Sequence, residues 1–370
     1  MSKPIESELK SQTGRLPRRA FLKSSGSGLI STVAVVGALS ASGIDHKVSA
    51  AEARGKPVNR IASNSYAVNR LFKRRRPSTR QATLELQEKY GKMTMLDFPQ
   101  FTKDTYAGVS AMDLWSSLFG DVEDDSQFVG QEGGGRRRRL EFDPSASSSK
   151  RFLDALAANM ASTGVTAKHI SNNAPRNLAD LDEDKRRDGI RVGKIWLDAC
   201  RQIGVASMRV NTGGPRIIPP SEIQGGYPRN TAIVPYLKYA IESFKELAGY
   251  GEKVGVKVTI ENHWGLAAEP MNVRVILNEV NSPYCEASPD FCNWEHEYML
   301  YHGLEALIPY ASSMVHAKRW SRYPDVDIAR CVQVLNKANY GGYISLEYEA
   351  GGDPVEGTLK LMKDVLAALV

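Results

Sequence analysis

Residues 257 to 265 read KVTIENHWG. Val258 and Ile260 look like a strand heading into a core, but the run then presents Glu261, Asn262 and His263 in immediate succession. A polar strand end is by itself an ordinary loop feature. It gains meaning only if other strands of the chain end the same way.

Seven further stretches share the β-rich character: NRIASNSYAV (59 to 68), GVSAMDLW (108 to 115), GVTAKHISNN (164 to 173), VASMRVNTGG (205 to 214), CEASPDFCNW (285 to 294), SSMVHAKRW (312 to 320) and GGYISLEYEAGG (341 to 352). With residues 255 to 265 they make eight, the number that closes a parallel barrel. Between the later ones lie helical patterns. TAIVPYLKYAIESFKELAGY (231 to 250) spaces apolar side chains at three and four residues, PDVDIARCVQVLNKA (324 to 338) does the same before a stop at Asn339 and Gly341, and DPVEGTLKLMKDVLAALV closes the chain. Strands alternating with helices imply a parallel sheet. The fold expected is an α/β (β/α)8 TIM barrel over residues 105 to 370, preceded by an extension over 51 to 104 that carries the first strand and the polar helical segment TRQATLELQEKYGK. Residues 121 to 150 have the composition of a flexible insertion, with an Arg/Gly-rich run at 133 to 139.

The composition fits a globular body: 42% hydrophobic and 24% charged residues, with no apolar run near the roughly 20 residues of a spanning helix. Residues 1 to 50 are different. A basic segment, RLPRRAFLK (15 to 23), precedes a small-residue apolar stretch and then VSAAEA, the layout of an export signal. Arg18-Arg19 followed by Phe21, Leu22 and Lys23 resembles a twin-arginine signal, with Pro17 where Ser or Thr is usual. The expected partner there is the twin-arginine export machinery, and the expected location is periplasmic or otherwise extracytoplasmic. Export in a folded state would suit a protein that must take up its metal before leaving the cell. Without those 50 residues the formal charge falls from +6 to +2, so the basicity is largely targeting. The runs KRRR (73 to 76) and RRRR (136 to 139) read as solvated rather than as nucleic-acid contacts. Of the four cysteines, Cys285 and Cys292 stand close enough in sequence to pair in an oxidising compartment.

In a parallel α/β barrel all strands end on one face, so residues at strand ends converge. The last four units place Glu261, Asp290, His316 and Glu347 there, spaced by 29, 26 and 31 residues, about one βα unit each. Three carboxylates and one imidazole suit Mn²⁺, Mg²⁺ or Co²⁺ better than a thiolate-seeking metal.

The motifs VTIENHWG, SPDFCNW, MVHAKRW and YISLEYEAGG resemble the strand-end motifs of the sugar phosphate isomerase/epimerase family. These are xylose-isomerase-like barrels that also include endonuclease-IV-like proteins. The resemblance spans about residues 105 to 360 and lies in the order Glu, Asp, His, Glu. It implies Glu261, Asp290, His316 and Glu347 as metal ligands. It also implies Glu261 and Glu347 as the catalytic pair, one removing a proton beside a carbonyl and the other returning it, while the metal polarises the substrate oxygens so that an enediolate forms. The physics agrees, because a carbon acid beside a carbonyl is too weak for a free carboxylate at neutral pH unless the developing charge is stabilised.

Supporting positions follow. His263 shares the strand direction of Glu261, and Lys318 stands where the family places a cation near the substrate. Arg209 and Asn211 end the fourth strand, His169 lies near the end of the third, and Trp264, Trp294 and Trp320 fall just after strand ends, where aromatic faces stack on sugars. Asn293 stands where many members have His, and Glu349 points the same way as Glu347 and competes for its ligand role. The expected substrate is a small sugar or polyol. A lyase or dehydratase acting on a keto-polyol or 3-keto-glycoside would use the same site. An endonuclease-IV-like nuclease needs a His-rich cluster, whereas this chain has six His in all, and no nucleic-acid partner is expected. A non-catalytic sugar-binding protein is the remaining alternative.

Overall fold

The computed structural model describes residues 55–130, 140–215 and 231–369. The expected export signal at 1 to 50 and the Arg run at 136 to 139 lie outside the described residues. Among the described residues ten strands occur in chain order: β1 (Ile61–Asn64), β2 (Ala111–Trp115), β3 (Phe128–Gly130), β4 (Leu140–Phe142), β5 (Thr166–Ser171), β6 (Ser207–Arg209), β7 (Lys257–Ile260), β8 (Cys285–Ala287), β9 (Met314–Trp320) and β10 (Tyr343–Glu349). Apart from the antiparallel pair β3 and β4 they form one parallel sheet, in the order β8-β7-β6-β5-β2-β1-β10-β9. Each of the eight stretches singled out in sequence holds one of these strands.

The sheet closes on itself between β8 and β9. Just beyond β8, Asp290 forms a parallel bridge with His316, where His316 N–H donates to Pro289 O at 2.9 Å and Phe291 N–H donates to His316 O at 3.0 Å. The barrel seam is therefore fastened at two of the residues expected to hold a metal.

Alternation along each strand decides what faces the barrel axis. On β9 the inward row is Met314, His316 and Lys318, while Val315 and Ala317 are buried on the outer side. On β10 it is Ser345, Glu347 and Glu349, and on β5, past a bulge in its pairing with β2, it is His169 and Ser171. On β9 and β10 the inward row ends at the top in titratable groups, Lys318 and Glu349, whereas on β5 the titratable His169 lies below Ser171. Ala62, Ala111 and Met314 make a separate apolar cluster at the bottom, and the main core lies outside the strands, under the helices.

Helices α1 (Gln81–Tyr90) and α2 (Phe98–Thr105) fill the β1–β2 connection. The outer layer is α3 (Ser147–Thr163), α4 (Glu183–Gln202), α5 (Val234–Val254), α6 (Pro270–Val280), α7 (Met299–Leu307), α8 (Ile328–Lys337) and α9 (Pro354–Ala368). Sequence signals place their ends. Asp182, Asp327 and Asp353 cap α4, α8 and α9 by accepting backbone N–H groups, and α5 stops at Gly255 in the left-handed region. Among the described residues no helix is long and apolar enough to cross a membrane.

Two expectations need correction. Residues 121 to 150 are not one loose excursion: the described part holds a 3-10 turn at Asp125–Gln127, the β3–β4 pair, and the first turn of α3 from Ser147. Nor is the 73 to 76 run wholly solvated, because the Arg74 guanidinium lies 5.7 Å from the Trp115 ring and Arg75 sits over Phe128 while pairing with Asp125. Packing against neighbours that are distant in sequence fixed both.

Candidate active site

The top of the barrel interior holds Glu261, Asp290 and His316, and each offers a ligand atom within 4.8 Å of the others. All three are buried. Glu261 stands one residue past β7. Its Oε2 accepts from Arg209 Nη1 at 2.7 Å and its Oε1 from Asn293 Nδ2 at 2.7 Å. Burial pushes the Glu261 carboxyl up, but the charges of Arg209 and His316 outweigh it and hold the group well below the usual carboxylate range. Asp290 Oδ1 accepts the backbone N–H groups of Cys292 (2.6 Å) and Asn293 (2.8 Å), and burial pushes its carboxyl up to about 8. His316 Nδ1 lies 3.6 Å from Glu261 Oε2.

Whether these residues fit a cation can be judged from their unmet polar atoms. Asp290 Oδ2 and His316 Nδ1 are buried and make no hydrogen bond, which is costly unless something else satisfies them. Both belong to the same cluster. Two orphaned ligand atoms beside a carboxylate oxygen fit a hard divalent cation.

Beneath this cluster lies Asp113, which the sequence reading missed. Its carboxylate accepts from Asn64 Nδ2 (3.0 Å), Ser345 Oγ (2.8 Å), Ser171 Oγ (2.9 Å) and His316 Nε2 (3.0 Å). Burial pushes the Asp113 carboxyl up, and the hydrogen bond and charge of His316 hold it below its ordinary value. Because a carboxylate can only accept, the Asp113 contact keeps a proton on His316 Nε2. Burial pushes the imidazole down, but Glu261 and Asp113 outweigh it and raise it to about 9, so Nδ1, which faces Glu261, would become a ligand once a cation displaced its proton. Asp113, His169 and His316 also lie within 4.8 Å of one another, but the saturated Asp113 oxygens mark a hydrogen-bonded hub. The sequence signal for it was a lone acid in the apolar strand AMDLW.

Above the cluster opens a cavity of about 220 Å³, whose lining includes Arg209, His263, Asn293, Lys318, Glu347 and Glu349. Glu347 was expected to complete the ligand set, yet it stands apart from the cluster of three. Its Oε1 accepts from Lys318 Nζ at 2.8 Å, and Lys318 also reaches Glu349 Oε2 (2.6 Å) and Asn293 Oδ1 (3.0 Å). Burial pushes the Lys318 ammonium down, but Glu347, Asp290 and Glu349 together hold it well above its usual range. Tyr66 OH closes the network on Glu349 Oε1 at 2.6 Å. Glu347 and Glu349 thus face the same cavity, as alternation requires.

His169 does not line the cavity. It is completely buried, hydrogen-bonds Ser207 Oγ through Nδ1 at 2.9 Å and packs on His316, with burial pushing its imidazole down to about 4. Trp294 is likewise core, 1% exposed and packed so closely on Gly303 that a Cβ there would meet its ring at 2.6 Å. Trp320 and Trp264 do border the cavity. Asn211 lies outside its lining and bonds Asn173 O at 3.2 Å. Cys285 and Cys292 are free and buried, and Cys292 Sγ donates to Lys318 O. No disulfide joins them.

Residues 128–367 match the family described as Xylose isomerase-like TIM barrel. The chain belongs to that family. Similar solved structures include the apo form of 3-keto-D-glucoside 4-epimerase, YcjR, from E. coli, with 13% identity over 84% of this chain and 99% of that one and a TM-score of 0.56. N-terminal His-tagged D-allulose 3-epimerase from Methylomonas sp. has 12% identity, the same coverage and a TM-score of 0.54. A Xylose isomerase-like TIM barrel protein from Mycobacterium smegmatis in complex with magnesium has 14% identity over 84% of this chain and 97% of that one, with a TM-score of 0.52. At these identities the likeness is one of fold. Among curated proteins none matches in sequence. In this xylose isomerase-like barrel the polar constellation sits where the architecture gathers strand ends.

Proposed function

We propose that the protein is a divalent-metal-dependent sugar or polyol isomerase or epimerase that works by moving a proton beside a carbonyl. The observation that carries this reading is the buried cluster of Glu261, Asp290 and His316, with two of its ligand atoms unsatisfied, directly under a cavity lined by carboxylates and cations. That the similar solved structures include sugar epimerases supports it.

Glu261, Asp290 and His316 would hold the cation, of which Mn²⁺, Mg²⁺ and Co²⁺ suit the donor set. When bound, it would supply Lewis-acid polarisation of the substrate carbonyl. The protein's own groups handle the proton. Glu347 lines the cavity and moves it at the substrate carbon, while Lys318, protonated and 2.8 Å from Glu347, compensates negative charge developing on the neighbouring oxygen. Glu261 is held by Arg209 and Asn293 and lies deeper. Its low basicity suits a ligand, and returning the proton on the other face is its second role.

We further propose that residues 1 to 50 direct twin-arginine-type export to an extracytoplasmic site. The support is the sequence around Arg18 and Arg19.

The test is incubation of protein loaded with Mn²⁺, Mg²⁺ or Co²⁺ with ketoses and 3-keto-glycosides in deuterium oxide. Deuterium uptake beside the carbonyl with an intact carbon skeleton is the expected result. Loss of a β-hydroxyl or glycosyl group would convert the assignment to a lyase, and absence of both would sink it.

A further inference from the structure

A second chamber of about 480 Å³ adjoins the cavity above the cluster. The two share Asn173, His263 and Trp264 as walls. The inner cavity alone, about 220 Å³, falls short of the roughly 300–1,000 Å³ usual for small-molecule sites. The outer chamber lies within that range by itself, so most of the space open to a substrate is outside the inner cavity.

The outer chamber has a constructed wall. Gly265 and Gly213 both adopt left-handed backbone (φ 66 and 67). A Cβ on Gly265 would lie 2.2 Å from Gly213 O, and one on Gly213 would lie 2.3 Å from Arg176 O. Three segments from different loops are pressed together with no side chain between them, leaving a smooth backbone surface. Beside it stands Trp264, 41% exposed, with its indole braced edge-on against His263 at 4.7 Å and 70°. Asn211 and Asn173 supply amides on the remaining sides. An aromatic face with planar amides around it matches a sugar ring, which presents C–H groups on its faces and hydroxyls at its edge. His263 belongs to both chambers, and its Nδ1 is buried without a partner, at the point where a linkage between two units would pass.

We infer that the substrate is a two-unit molecule, an oxidised glycoside or disaccharide rather than a free monosaccharide, with its carbonyl-bearing ring in the inner cavity and its second unit over Trp264. This rests on the sugar chemistry proposed above for the inner cavity.

Calorimetry and saturation-transfer NMR with glucose, maltose and cellobiose on the metal-loaded full chain test it. At least one disaccharide should bind five or more times as tightly as glucose, with saturation reaching the protons of both rings. Trp264→Ala, verified as folded by circular dichroism, should reduce that preference to below twofold. Preference under fivefold for both disaccharides, saturation confined to one ring, a preference that survives Trp264→Ala, or no sugar binding at all would each overturn the inference. Failure of the functional reading looks different: disaccharide preference through Trp264 would persist while no deuterium exchange or elimination occurred with any carbonyl sugar.

Discussion

His316 Nε2 lies 3.0 Å from Asp113 Oδ2, although 203 residues separate the two in sequence. The contact joins β9 to β2 across the barrel interior and sets which imidazole nitrogen is free for a ligand. Replacing Asp113 with Asn keeps the size but lets the amide donate, so the tautomer is no longer imposed. Asp113→Asn is expected to weaken Mn²⁺ affinity by roughly 10- to 100-fold with little change in circular dichroism. Calorimetric titration checks this, and unchanged affinity would remove Asp113 from the site.

The two glutamates should separate by phenotype. Glu261→Gln is expected to abolish measurable Mn²⁺ binding, because Glu261 belongs to the ligand cluster. Glu347→Gln should retain the ion and lower kcat by about 10²- to 10⁴-fold, the range for a lost general acid–base group. Metal content after desalting, read beside turnover of a carbonyl sugar, distinguishes them. Equal loss of metal in both variants would make Glu347 a full ligand.

Metal should also stabilise the fold by satisfying the buried Asp290 Oδ2 and His316 Nδ1. At a free Mn²⁺ concentration 100 times its Kd the gain is about 2.7 kcal/mol, visible as a rise in Tm that a chelator reverses. In Asp290→Ala the rise should disappear.

Asp353 gives a pH prediction away from the site. It caps α9 and accepts from Lys89 Nζ (2.9 Å) and Tyr90 OH (2.8 Å), tying α1 to the last helix. Partial burial pushes its carboxyl up, but the hydrogen bonds from Lys89, Tyr90 and the α9 backbone outweigh it and lower the group. A folded-state value below the unfolded one adds stability above the unfolded pKa of about 3.9, and that stability is lost as pH falls through the lower folded value. Asp353→Ala should cost about 1 kcal/mol at pH 7, and its gap from the parent protein should narrow on acidification below about pH 4. Urea titrations at pH 7 and in that acid range test this.

Legibility followed periodicity. The eight strands and their polar ends could be read because a parallel strand buried on both faces makes a short apolar run, and its exit into a loop shows as a change of chemistry. Glu261, Asp290 and His316 followed from spacing, since one βα unit recurs near 30 residues. Asp113 and Asn64 were not read, because a polar residue within a strand carries no periodic signal and its partners lie on other strands. Whether His169 and Trp294 pack or face the mouth was not legible for a related reason: position near a strand end does not say which way a side chain points, and both are buried in packing.

The sequence alone thus determined the barrel, the order of its strands and the residue types at its mouth, because these depend on local pattern and on the architecture common to such sheets. Only the tertiary structure decided that Lys318 joins Glu347 to Glu349 and sets Glu347 apart from the ligand cluster, that Arg209 lowers Glu261, and that Asp113 orients His316. Those are distances between side chains on different strands. They are fixed by barrel closure at Asp290 and His316 and by the inward alternation of each strand, neither of which is a property of any one stretch of chain.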